Sequence, residues 1–230
     1  MNAENVESCL QKNSAEHEGY VRAHRSFHRI FQQVITQPLM PIYERLFSDN
    51  SYGYRPGRSA KDAIIKVKEY AGQGYIHAAA LDLSKYFDTL NHEMLLNILR
   101  RNVKDERVIQ WIKRYLKSGV MENGAVMKTE EGSPQYGNIS PLLANIYLNE
   151  FDQEFQSREV ALVRYADDIV LLAKSDRAAK RLLESSTKYL EGKLKRKVSQ
   201  EKSRVISVFA IRNFKGLIQF FYVFLQKIMI

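Results

Sequence analysis

Apolar and polar positions change period several times along this chain, and each change marks an element. Residues 1–20 are polar and weakly periodic, as in a frayed tail. From Arg25 to Phe47, apolar Phe27, Ile30, Phe31, Val34 and Ile35 recur at helical spacing, with Pro38 and Pro41 expected to interrupt or restart the helix. Ser51 to Ser59 is a loop by its Gly and Pro content. Helices are predicted over Lys61–Tyr70, closed at Gly72, and then at about 92–101 and 105–118. Between them His77–Leu83 reads as a strand, with Asp88 and Asn91 as turn and capping residues for the helix starting near His92. Asn123-Gly124 between two short apolar runs signals a hairpin. Ser140-Pro141 reads as an N-cap and first-turn proline opening a helix to about Phe155. Two short apolar runs, Leu162–Val163 and Ile169–Leu172, read as buried strands. A basic amphipathic helix over about 176–190 and a weak strand near 205–208 follow. Strands that meet as hairpins between helices predict an α+β fold rather than a doubly wound sheet.

The chemistry concentrates where two of these strands meet. Tyr165, Ala166, Asp167 and Asp168 form a tight turn with two adjacent carboxylates. Paired aspartates in a turn are ordinarily a solvated turn signal. Here the flanking strands would hold the tip rigid enough to keep both acids around a divalent cation. Asp82, set in the apolar run His77–Leu83, is a costly residue unless it meets a cation or a donor, which makes it the natural partner of the turn. The Ser51–Ser59 loop carries two arginines and aromatic neighbours, and admits two readings of equal weight: a structural turn, or a clamp for a base and a phosphate.

Composition narrows the partners. With 45% hydrophobic residues in 230, the chain can bury one sizeable core with a small lobe attached. A net charge of +9 favours a polyanion, nucleic acid before an acidic membrane surface. The charge is concentrated: residues 174–204 hold eleven Lys/Arg against four Asp/Glu, a candidate track for an RNA or DNA backbone. The single cysteine, Cys9, excludes an intramolecular disulfide framework, and the five histidines lack ligand spacing. No signal-peptide pattern is present and the most apolar run, Phe220–Leu225, is too short to span a bilayer, so reducing cytoplasm is the expected compartment.

Six blocks in order then carry a family likeness. They are Ile42–Phe47 with Ser51–Ser59, Ala80-Leu-Asp-Leu-Ser-Lys-Tyr-Phe-Asp-Thr-Leu-Asn-His92, Ser133-Pro-Gln135, Ser140–Asn149, Arg164-Tyr-Ala-Asp-Asp168 and Glu201-Lys-Ser203. Over residues 28–206 the chain resembles a group II intron-encoded reverse transcriptase, an RNA-directed DNA polymerase. The resemblance implies a right-hand polymerase: a tail over 1–20, partial fingers over 21–76, a palm with fingers-side insertions over 77–215, and a shortened thumb junction over 216–230. It implies that Asp82, Asp167 and Asp168, with the Leu83 carbonyl, hold two Mg²⁺ ions, for which Mn²⁺ can substitute. Phe87 matches the ring that excludes a ribose 2′-hydroxyl, and Tyr86 packs in the palm. Gln135 matches a residue lining the nucleotide site, Lys202 a proton donor to pyrophosphate, and Arg55 a fingers-loop arginine near the template or incoming nucleotide. The implied partners are an RNA template with a DNA primer, dNTPs and an ancestral intron RNA.

Departures from the family pattern matter as much. Tyr136 stands where a Gly usually follows Pro-Gln, Pro38 falls in a helix the family keeps regular, and His28-Arg29 replaces Asp-Arg. Residues 19–26 do not reproduce the basic fingers strand, and thumb, maturase and endonuclease regions have no counterpart, which implies a shortened gene product. Two functions therefore compete: a polymerase with reduced grip, and a catalytically crippled remnant that retains only RNA binding. A nucleotide cyclase using the same palm geometry is disfavoured by the template-loop blocks.

Overall fold

The computed structural model describes residues 32–84, 86, 90–117, 120–122, 125–127 and 138–207. Its described part opens in a helix, α1, over residues 32–44. Ile35, Leu39 and Tyr43 follow at four-residue steps and are buried, and Phe47 extends the stripe past the helix end. Pro38 and Pro41 do not break α1, contrary to the sequence expectation. Each proline deprives one carbonyl of its helical partner, at positions 34 and 37, and both of those residues are exposed. Val34, expected on the buried stripe, faces outward instead.

The remaining elements are α2 (Ala60–Gly72), β1 (His77–Leu81), α3 (His92–Asn102), α4 (Glu106–Lys117), β2 (Val120–Glu122), β3 (Ala125–Met127), α5 (Ser140–Ser157), β4 (Ala161–Tyr165), β5 (Asp168–Ala173), α6 (Asp176–Gly192) and β6 (Arg204–Ser207). Local signals set several of the boundaries. Ser59 and Asp62 close a reciprocal capping box on α2, and Asn91 accepts from the Met94 amide to cap α3. β2 and β3 pair antiparallel, Glu122 opposite Ala125, while Asn123-Gly124, read as the hairpin signal, lies outside the described residues. Ser140, by contrast, is not the cap of α5. Ile139 holds that position without a side-chain bond, and the Ser140 hydroxyl is buried 2.9 Å from the Tyr115 hydroxyl.

Four strands form one antiparallel sheet in the order β4-β5-β1-β6, so β1, far from β5 in sequence, lies beside it. Residue parity assigns the two faces. Ala79, Leu81, Leu162, Ile169 and Leu171 belong to the main core with α3, α4, α5 and α6. Eleven of the eighteen residues of α5 are buried, which makes it the central helix of that layer. Each fully buried Leu, Ile or Phe there contributes about 1.5–3 kcal/mol. Ala78, Val163, Val170 and Leu172 face the other way and pack against Ala63 and Val67 of α2. The loop after α1 joins the sheet at its margin: Ser51 forms a parallel bridge with Arg164 of β4, with bonds of 2.8 Å from the Arg164 amide to Asn50 O and 2.9 Å from the Tyr52 amide to Arg164 O. Among the described residues, no helix is long and apolar enough to cross a membrane.

Candidate active site

Tyr165 and Asp168 are the last pair of the β4–β5 hairpin, leaving Ala166 and Asp167 as a two-residue turn. Ala166 has φ 55°, a positive value that residues with a side chain seldom adopt. A non-glycine residue there costs on the order of 1 kcal/mol and persists only where neighbours hold it. One such neighbour is Gly53, so close that a Cβ on it would lie 2.3 Å from the Ala166 amide nitrogen.

Asp82 comes to this turn through the register of β1. The last registered pair is Leu81↔Ile169, so Asp82 falls one step further on, level with Asp168. Opposed residues in an antiparallel pair have Cα atoms about 4.5–5.5 Å apart. Parity places both acids on the α2 side of the sheet, in line with Ala80 and Val170. At this end of the sheet Ala80, Asp82, Tyr165, Asp167 and Asp168 are all half-buried. Burial raises the Tyr165 phenol above its ordinary pKa.

The backbone of Asp82 is held from both ends. Its amide donates to Ser203 Oγ at 3.2 Å, and its carbonyl accepts from the Ser199 amide at 2.8 Å. Leu83 bridges Val198, with the Ser84 amide donating to Lys197 O at 3.0 Å. The bonds of that bridge come from the residues either side of Leu83, so its own carbonyl points away from 197–199 and toward the β5 side. Lys202 Nζ lies 3.9 Å from Asp82 Oδ1; the lysine side chain is 62% exposed and the aspartate's 14%.

Three carboxylates and a carbonyl are hard oxygen donors of the kind Mg²⁺ takes, and they fit such an ion at the level of the backbone. Among the described residues, no three His, Cys, Asp or Glu side chains already stand together as a metal cluster.

The other sequence candidates fall differently. Tyr86 is buried, as expected, and its hydroxyl donates to Ala144 O at 2.5 Å. Burial raises that phenol well above its usual range. Phe87, Gln135 and Tyr136 lie outside the described residues. The guanidinium of Arg55 is turned inward: it pairs with Glu44 at 2.6 Å and donates to Ser48 O and Ser51 O at 2.6 and 2.8 Å. Tyr52 is buried beside it, while Tyr54 is half exposed at φ 55°. Of the two readings of this loop, Arg55 and Tyr52 take the structural one. Arg196, counted within the basic track, is also fully buried, stacked 4.7 Å over the Tyr86 ring.

Sequence reasoning assigned no role to Arg164 or to the acid it meets. Both Arg164 and Asp152 have side chains with no exposure, paired at 2.6 Å. The available signal was Arg164 itself, a permanent charge inside an apolar strand, which demands a buried acid.

A family model described as reverse transcriptase (RNA-dependent DNA polymerase) matches residues 11–218. This chain belongs to the reverse transcriptase family. The reverse transcriptase chain is 34% identical to Protein YkfC of Escherichia coli K12, over 77% of its own length and 56% of that protein's. It is 32% identical to the group II intron-encoded protein LtrA of Lactococcus lactis, covering 77% of this chain and 28% of LtrA. The chain thus spans about half or less of the length of these relatives. Solved telomerase structures from Candida albicans and Candida tropicalis superpose with TM-scores of 0.57 and 0.58 at 15% identity, covering 86% and 83% of this chain and 36% and 43% of theirs. At that identity the likeness is one of fold. The small antiparallel sheet backed by helices is a polymerase palm, as the sequence resemblance implied.

Proposed function

We propose that this reverse transcriptase copies RNA into DNA by two-metal nucleotidyl transfer to a primer 3′-hydroxyl, as the polymerase of a group II intron or related retroelement. The observation that carries the reading is the register of β1 on β5, which brings Asp82 level with Asp168 on one face at the open end of the sheet. Asp82, Asp167 and Asp168, with the Leu83 carbonyl, would hold two Mg²⁺ ions, and Mn²⁺ in their place. Bound there, such ions activate the primer hydroxyl and offset the charge developing on the triphosphate. The protein's own part is positional. Ser203 and Ser199 fix the Asp82 backbone, while Asp167 sits in the two-residue turn and Asp168 opens the strand that follows it. Lys202, exposed and with its ammonium near Asp82, holds a proton within reach of a leaving pyrophosphate. Arg55 contributes through the loop it closes, Gln135 lines the nucleotide site, and Phe87 selects dNTP over rNTP.

Primer extension tests the reading. Purified chain with an RNA template, a DNA primer, dNTPs and Mg²⁺ should extend the primer, and Asp167→Ala/Asp168→Ala should not. Equal signal from both proteins would remove the polymerase assignment, and RNA binding with no extension at any Mg²⁺ concentration would leave the RNA-binding remnant. Phe87→Ala should raise rNTP use relative to dNTP; an unchanged ratio dismisses the gate.

A further inference from the structure

Arg164 stands two residues before the turn that carries Asp167, on a strand whose other side chains are apolar or aromatic. A guanidinium has five N–H donors, and here each has an acceptor. Nε donates to Asp152 at 2.9 Å. One terminal nitrogen donates to Asn145 Oδ1 at 2.9 Å and to the Ala166 carbonyl at 2.8 Å. The other donates to Asp152 Oδ2 at 2.6 Å and to Ser51 Oγ at 2.7 Å. These acceptors come from three separate parts of the chain: α5, the fingers loop and the turn itself. Asn145 completes the circuit by donating from Nδ2 to Gly53 O at 2.8 Å, and Gly53 is the residue pressed against Ala166.

A buried ion pair is a poor device for stability alone, because well-packed apolar residues of similar volume do as well or better. What this arrangement supplies is geometry. Holding the Ala166 carbonyl fixes the peptide that leads into Asp167, and with it the left-handed conformation on which the turn depends. We propose that Arg164 is a positioning residue for the metal-binding turn, tying the direction of the Asp167 and Asp168 carboxylates to the fingers loop through Ser51 and to α5 through Asp152 and Asn145. The inference rests on the metal-site reading given above. Partners that orient ligating carboxylates are worth about 10- to 100-fold in metal affinity.

The test is Mn²⁺ binding to the purified chain, read from the electron paramagnetic resonance of free Mn²⁺, under conditions where urea unfolding shows each variant to be fully native. Asp82→Asn probes the site itself. Arg164→Lys keeps the charge but loses the five-donor fork, and Ser51→Ala removes a single acceptor. Tyr147→Phe, on the same helix as Asn145 and Asp152, removes a buried hydroxyl bond to Leu194 O and serves as the structural control. Arg164→Lys should weaken Mn²⁺ binding by about 10- to 100-fold and Ser51→Ala by a smaller factor, while Tyr147→Phe leaves affinity unchanged at a comparable loss of stability. Wild-type affinity in both Arg164→Lys and Ser51→Ala, with binding lost in Asp82→Asn, overturns the positioning role and leaves the metal site standing. An equal loss in Tyr147→Phe likewise overturns it, by reducing the effect to general loosening. No Mn²⁺ binding by the wild type, or binding that survives Asp82→Asn, overturns the site and the proposal with it. Should Arg164→Lys fail to fold, Ser51→Ala decides by the same criterion.

Discussion

Adding one methyl group at Gly53 should loosen the candidate active site measurably. A Cβ there would sit 2.3 Å from the Ala166 nitrogen, 3.0 Å from its Cα and 3.1 Å from its Cβ. Two of these are backbone atoms of the turn that closes the β4–β5 hairpin, so the loop carrying Gly53 has to retreat. Overpacking of this kind costs about 1–3 kcal/mol. Retreat also strains the buried bond from Asn145 Nδ2 to Gly53 O, and an amide left unsatisfied costs about 1–3 kcal/mol more. Against this, Gly→Ala stiffens the unfolded chain by about 0.4–1 kcal/mol. Gly53→Ala should therefore destabilise by about 1–5 kcal/mol, a fall in Tm on the order of 10 °C at the middle of that range for a chain of this size. Urea unfolding measures it as a lower midpoint at constant slope. A loss below about 0.5 kcal/mol, the range of an ordinary surface change, would refute the close approach of loop and turn. The second-site change Ala166→Gly removes only the 3.1 Å contact, so it should rescue only part of the loss.

Three further outcomes follow from features already described. Asn91→Ala removes the side-chain acceptor for the Met94 amide, and chemical denaturation should show a loss of about 1 kcal/mol; no change would mean the cap is replaced by water. RNA affinity should fall steeply with salt, with a log–log slope of about −0.7 per phosphate neutralised on a single strand. A flat response would make the 174–204 segment ordinary surface. Burial pushes the Tyr43 phenol up to about 12 from its ordinary 10.0, so the folded chain keeps a proton that the unfolded chain releases. Stability from this group is complete below pH 10 and should decline as pH rises from there through 12; thermal melts in which Tyr43→Phe declines as steeply as the wild type would assign the effect elsewhere.

Much of the palm was legible because its signals are local. The Ile169–Ala173 run is continuous apolar sequence, Asn91 caps the helix it precedes, and Asp82 stands out as an acid among alanines and leucines. Its place beside the turn follows from pairing across more than eighty residues, which periodicity cannot supply; burial cost and family likeness suggested it. The failures share a cause. Ser140 reads as a cap until Tyr115, twenty-five residues earlier, takes its hydroxyl. Arg55 looks like a free cation until Glu44 and two loop carbonyls enclose it. The prolines of α1 look like breakers until the residues whose carbonyls they orphan prove to be exposed. In each case a partner or an exposure set by tertiary packing overrides a sound local rule.

The bridge between Ser51 and Arg164 has a consequence for how these molecules meet one another. β4 is the outermost strand of the sheet on its side, and an uncovered strand there would offer its amides and carbonyls to a neighbouring chain. Residues 50–52 already take both backbone groups of Arg164, one residue from the end of that strand. The loop therefore works as a stopper as well as a brace, and a chain deprived of it would present a sticky margin to its own copies.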